Sequence, residues 1–189
     1  MRFLLRSLFE SAGLLVRCYD SAEALLADNE EIRFGCIVAD LRLNGISGIQ
    51  LLGELRRRGG GIPIVIISGR ASVSDAVAAF RENAAAFFEK PFDNNELVAS
   101  VKQLIGEWAA KQEKREALAA ILTPLSVRER EVLEALVTGK KTAQIAHELG
   151  ISASTVEKHR IRVFEKTGVD SVIGLVHLLS GYQFSHEAV

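Results

Sequence analysis

Apolar residues follow two different rhythms along this chain, and the change between them divides it. In the first half, short stripes at helical spacing alternate with short runs that are apolar at almost every position. Phe3, Leu4, Leu8 and Phe9 recur as one helix face does, which predicts a helix over residues 1–12 with Gly13 as its stop. Leu14 to Cys18 reads as a strand. Ser21 opens a capped helix, Gly35 to Ala39 reads as a buried strand and Gly48 to Arg57 as a helix. Ile64 to Ile67 and Ala86 to Phe88 supply two more strands. Such strands, which scarcely alternate, predict a parallel sheet covered on both faces. The expected fold is α/β and doubly wound, with any ligand site at the C-terminal ends of the strands.

The second half has only helical periods. Asp93 to Glu96 has the form of a capping box ahead of Leu97, Val101, Leu104 and Ile105. Trp108 to Ala120 is rich in helix formers and free of glycine and proline, so a stiff helical connector is expected up to Pro124. Ser126 to Glu129 forms a second capping box before Val127, Val132, Leu133 and Leu136, and Gly139 ends that helix. Ala143, Ile145, Ala146 and Leu149 then give a short helix a small apolar face, stopped by Gly150. Ile151 sits at the angle. Ser152 or Ser154 caps the next helix, whose Val156, Val163 and Phe164 turn inward. A final stripe, Val172, Leu175, Val176, Leu178 and Leu179, suits either a dimer surface or plain core packing.

Composition narrows the picture. A chain of 189 residues is long enough for two cores. Charges interrupt every apolar stretch before it reaches membrane-spanning length, and Arg2, Arg6 and Glu10 spoil any secretory signal. A cytoplasmic protein without membrane partners is therefore expected. Cys18 and Cys36, lacking a CxxC or histidine-rich setting, read as small buried hydrophobes. The net charge of -1 excludes indiscriminate binding of nucleic acid through a bulk basic surface, so any DNA affinity has to be local.

Two constellations carry candidate chemistry. The outer face of the penultimate helix holds Thr155, Glu157, Lys158, Arg160, Ile161 and Arg162, with His159 beside them. These side chains can donate to phosphate, reach base edges or touch a thymine methyl. An ordinary helical hairpin with a solvated charged face is the plainer alternative. In the first half, Asp40, Ser68 and Lys90 each close a strand. A carboxylate nucleophile, a hydroxyl and an ammonium make a sensible phosphoryl-acceptor set. A hydrolase built from His159, Ser68 and Asp40 is a poor reading because the three fall in different domains, so no enzyme is expected.

Residues 123–180 resemble the LuxR-type DNA-binding domain through LSVREREVL at 125–133, IAHELGISASTVEKH at 145–159 and KTGV at 166–169. The resemblance implies a four-helix domain whose third helix enters the major groove of promoter DNA and whose fourth makes a homodimer. VADLRLNGISG at 38–48, ISGR at 67–70 and FEKPF at 88–92 resemble the receivers of two-component response regulators of the FixJ/NarL type, which are flavodoxin-like. That resemblance implies Asp40 as the phosphorylated residue, Ser68 as switch hydroxyl, Lys90 as the phosphate-neutralising lysine and Phe87 as switch aromatic. A sensor histidine kinase would be the phosphate source.

Asn44 stands where these receivers often have proline, and Asn83 where they have glycine. Asparagine tolerates the left-handed conformation, so Asn83 can still end its helix. The resemblance also implies a first strand ending in an acidic pair for Mg2+. Met1 falls inside the first helix of that pattern, so this sequence is expected to lack both. Mg2+ is left with Asp40 and the backbone carbonyl of Arg42, an incomplete site.

The expected organisation is a receiver-like domain at 1–106, a helical linker at 107–122 and a DNA-binding domain at 123–189. The expected function is transcriptional regulation, with Asp40 phosphorylation controlling dimerisation and promoter binding. Two alternatives stand beside it: a DNA binder that ignores phosphorylation, and a partner that sequesters other regulators.

Overall fold

The computed structural model describes residues 2–28, 35–43, 45–58, 61–69 and 72–180. Asn44 and residues 181–189 lie outside them. Contacts divide the chain into two compact units, 1–111 and 112–189.

In the first unit the elements run α1 (Arg2–Ser11), α2 (Ala22–Ala27), β1 (Ile37–Asp40), α3 (Gly48–Arg57), β2 (Ile64–Ser68), α4 (Val73–Arg81), β3 (Ala86–Glu89) and the start of α5 (Asn94–Leu122). The strands form a parallel sheet in the order β1-β2-β3. Every residue of β2 is buried, which explains a strand apolar throughout its length. The period of two sends Ile37, Ala39, Ile64, Ile66 and Phe87 into a core with Leu25, Leu51, Leu52 and Leu55 from α2 and α3. Val38, Val65, Ala86 and Phe88 face the other way, toward Phe9 of α1 and Leu97 and Val101 of α5. The sheet is therefore covered on both sides, the flavodoxin-like receiver arrangement expected from the pattern.

Three expectations in this unit need correction. Leu14 to Cys18 forms no strand and pairs with no described strand. A strand needs a neighbouring backbone at roughly 4.8 Å, and a cavity of about 410 Å3 intervenes instead, with Leu14, Val16 and Cys18 on one side and Ile37, Val38 and Ala39 on the other. Cys18 is exposed, while partly buried Cys36 has its thiol pushed up to about 12 by desolvation. Phe3 and Leu4 share the apolar spacing of α1 but face solvent; Phe9 is the buried residue of that helix, with Leu5 and Leu8 packed against its core. Asn83 does take the left-handed conformation after α4, at φ 63°. Asp93 accepts from the backbone N–H groups of Asn95 and Glu96 at 2.7 and 3.4 Å, so α5 receives the forward half of its expected box.

The second unit holds α6 (Val127–Val137), α7 (Thr142–Leu149), α8 (Ala153–Thr167) and α9 (Val172–Leu178). Val132, Leu133, Ile145, Val156, Val163 and Leu175 form its centre, with Leu122 from the end of α5. Val127, in the first turn of α6, is exposed. Gly150 and Gly168 end α7 and α8 at φ 64° and 71°, conformations in which a Cβ is strained. The capping box at Ser126 and Glu129 forms as the spacing requires.

Glu129 does more than cap. Its buried carboxylate accepts from the Ser126 N–H at 2.8 Å and from Lys166 Nζ at 2.6 Å; Lys166 also donates to the Pro124 carbonyl at 3.0 Å. The ammonium, then the backbone donor, hold the carboxyl down at about 2. This ties the start of α6 to the end of α8. Removing the ammonium with Lys166→Met is expected to cost about 1–3 kcal/mol, discounted because the lysine is partly exposed. Because the folded pKa is depressed, the contribution is complete above the unfolded carboxyl range near about 4.3 and is lost as pH falls toward about 2. Urea midpoints followed by circular dichroism should therefore differ between variant and parent at neutral pH and converge in acid.

Candidate phosphoacceptor site and nucleic-acid interface

The parallel register brings three strand ends together. Asp40 pairs with Ile67, and Ser68 with Glu89, so the carboxylate, the hydroxyl and Lys90 emerge at one edge of the sheet. The Lys90 N–H donates to the Ser68 carbonyl at 2.7 Å, continuing the ladder past β3. Lys90 Nζ meets Asp40 Oδ2 at 2.5 Å, and Asp40 Oδ1 accepts from the Arg42 N–H at 2.9 Å. Ser68 is fully buried. Phe87 is half-buried and packs against the core under α3. A nucleophilic oxygen is thus held beside a fixed cation that can neutralise an added phosphoryl group.

The loop after β1 depends on residues that the spacing alone did not expose. A Cβ on Gly48 would lie 2.6 Å from the Asp40 carbonyl oxygen, so only glycine lets α3 begin this close to the end of β1. Glu23 of α2 accepts from the Ile46 N–H at 2.8 Å, a bond that holds its carboxyl below the usual range. Nothing local signals that pairing, since the two residues belong to separate elements.

Receivers generally bind Mg2+ at an acidic site. The described residues do not fit that ion by themselves. Mg2+ requires near-octahedral oxygen ligation, yet Asp40 is engaged by Lys90 and Arg42. Among the described residues no group of three or more His, Cys, Asp or Glu side chains converges to hold a metal.

On α8, Val156, Val163 and Thr167 turn into the core, which leaves Glu157, Lys158, Ile161 and Arg162 on the exposed face. Ser152, rather than Ser154, caps the helix by accepting from Thr155 N–H at 3.1 Å. Thr155 is half-buried, with its hydroxyl 2.8 Å from that of Ser152. Arg160 lies 5.6 Å over the Phe164 ring and 3.7 Å from Glu157, so it is drawn along the helix rather than outward. His159 is half-buried, and its Nδ1 has no hydrogen-bond partner among the described residues. Leu175 of α9 and Leu179, just past its end, are core residues, whereas Ile173 and Val176 remain exposed.

Comparison with known proteins agrees with both halves. Residues 1–102 match the response regulator receiver domain, and residues 123–179 match the bacterial regulatory proteins of the luxR family. The transcriptional regulatory protein FixJ of Azorhizobium caulinodans is 40% identical over 181 residues, covering 94% of this chain and 86% of its own. FixJ of Bradyrhizobium diazoefficiens is 39% identical over 181 residues, covering 94% and 88%. Among solved structures, the response regulator StyR superposes with a TM-score of 0.65 at 36% identity, covering 96% of this chain and 93% of that one. Full-length FixJ from B. japonicum gives 0.57 at 37% identity, covering 95% and 90%. With a parallel sheet presenting Asp40 and Lys90 at one edge and a helix-turn-helix with a polar outer face, the chain belongs to the DNA-binding response regulators that join a receiver to a LuxR-type domain, as the FixJ proteins do.

Proposed function

We propose that a receiver-like domain at 1–106 controls, through phosphorylation of Asp40, dimerisation and promoter binding by the domain at 123–189, with 107–122 as the helical linker. The observation that carries the DNA-binding part is the exposed face of α8: Glu157, Lys158, Ile161 and Arg162 project on the side opposite Val156 and Val163. Thr155, His159 and Arg160 flank that face and complete the contact set. Lys158 and Arg162 take phosphate oxygens, while Glu157 and Ile161 read bases. Ile173 and Val176 on α9 supply the pairing surface of a homodimer, which aligns two reading helices. Ser68 and Phe87 relay the phosphate, and a sensor histidine kinase supplies it. The chain acts in the cytoplasm as a regulator rather than an enzyme; no described helix is long and apolar enough to cross a membrane.

The test is base preference. Glu157→Gln is expected to change the base selected at one position, because a carboxylate accepts from cytosine N4 whereas an amide pairs with adenine. Binding-site selection with the full chain reads this directly, and an unchanged preference counts against the face. A second reading is favoured by the closed Asp40–Lys90 pair and the absence of an acidic cluster among the described residues. In it the chain binds DNA regardless of phosphate, and promoter affinity is indifferent to Asp40→Asn.

A further inference from the structure

Threonines inside a helix commonly spend their hydroxyl on the carbonyl one turn back. In this chain Thr167, the last residue of α8, and Thr123 and Thr138, just past α5 and α6, do so, donating to the carbonyls of Val163, Ala119 and Glu134 at 2.7, 2.7 and 3.1 Å. Thr142 does not. It is the first residue of α7, so no preceding turn of that helix offers a carbonyl. Its Oγ1 donates instead across the helix-turn-helix to Glu157 Oε1 on α8, at 2.7 Å.

The same Glu157 oxygen lies 3.7 Å from Arg160 Nη1, and Arg160 is held over the Phe164 ring. Both contacts fall on Oε1. Oε2 has no protein partner among the described residues, and the side chain is 48% exposed. The first turn of α7, which carries Thr142, is closed by the Lys141 N–H donating to Gln144 Oε1 at 2.8 Å. A carboxylate on an exposed helix face ordinarily samples several rotamers, whose freedom is lost on binding. Here one oxygen is anchored from a neighbouring helix and the other is left to accept.

We propose that Thr142 is a positioning residue for sequence discrimination, orienting the Glu157 carboxylate so that its open oxygen meets an exocyclic amino group in the major groove. The inference rests on the assignment of the α8 face to base reading. Orientation also sharpens rejection of wrong sites, since a fixed carboxylate cannot swing away from a carbonyl or phosphate oxygen that faces it.

The experiment measures affinities of the full chain for its selected site and for a single-base variant at the Glu157 position, each over a range of salt. Thr142→Val keeps the shape and removes the hydroxyl; Thr142→Ser keeps the hydroxyl. Thr142→Val is expected to lower the ratio between the two sites about fivefold, with the salt slope of the parent, and Thr142→Ser to preserve the ratio. In a Glu157→Gln background, Thr142→Val is expected to add little. An unchanged ratio in Thr142→Val, where Glu157→Gln alters base choice, overturns the proposal. Uniform weakening on both sites with a shallower salt slope also overturns it, by showing that the hydroxyl contacts phosphate. If Glu157→Gln itself leaves base choice unaltered, the reading of the face fails first, and this inference with it.

Discussion

Asp40→Asn is expected to abolish acyl-phosphate formation on this chain. In the reaction expected of the parent, a carboxylate oxygen of Asp40 attacks phosphorus of a small donor such as acetyl phosphate. The P–O bond to the acetyl group breaks, and acetate leaves with the electron pair. Lys90, 2.5 Å from Asp40, offsets the charge that arrives. An amide oxygen is neutral and a poor nucleophile, so the increment of one phosphoryl group in the intact mass should vanish. Labelling of the 189-residue parent is itself expected to be slow. Among the described residues Asp40 is the carboxylate joined to Lys90 at this edge, and no acidic cluster gathers to hold a divalent cation. Chelation of Mg2+ should accordingly change the rate little. Fast labelling that collapses on chelation would show that other carboxylates complete a metal site and would overturn this expectation.

Lys158→Ala and Arg162→Ala are expected to weaken promoter binding about tenfold each, and together by up to about a hundredfold. Both side chains are exposed on α8, one turn apart, and neither forms an ion pair among the described residues. Their charge is thus available to phosphate. Each loss should fall almost equally on specific and nonspecific DNA and should flatten the salt dependence by about one unit. Arg160→Ala should behave differently, because that guanidinium already stacks on Phe164 and approaches Glu157. Electrophoretic or anisotropy titrations over a range of salt separate the two classes. If the salt slope is unmoved by either exposed cation, α8 does not lie along the phosphate backbone.

The amino-acid order alone determined whatever depends on spacing within one element. Near-continuous apolar runs marked β1, β2 and β3; Ser21 and Ser126 marked helix starts, with Ser152 or Ser154 for α8; Gly139 and Gly150 marked helix stops. A helix or strand repeats its geometry, so a side chain three or four places on has a known position. The Asp40, Ser68 and Lys90 set was legible for the same reason, because each closes a strand and parallel strands align their C-terminal ends.

Partnerships between elements were not legible. Leu14 to Cys18 has strand composition, but composition supplies no neighbouring backbone, and β1 lies across a cavity from it. Phe3, Leu4 and Val127 are as apolar as the residues that pack, yet they remain exposed. The ties from Glu23 to Ile46, Lys166 to Glu129 and Thr142 to Glu157 join residues on different elements. Which polar side chain finds which is decided by the packing of apolar faces, which brings the elements within reach and leaves each buried charge or hydroxyl to bond what stands opposite.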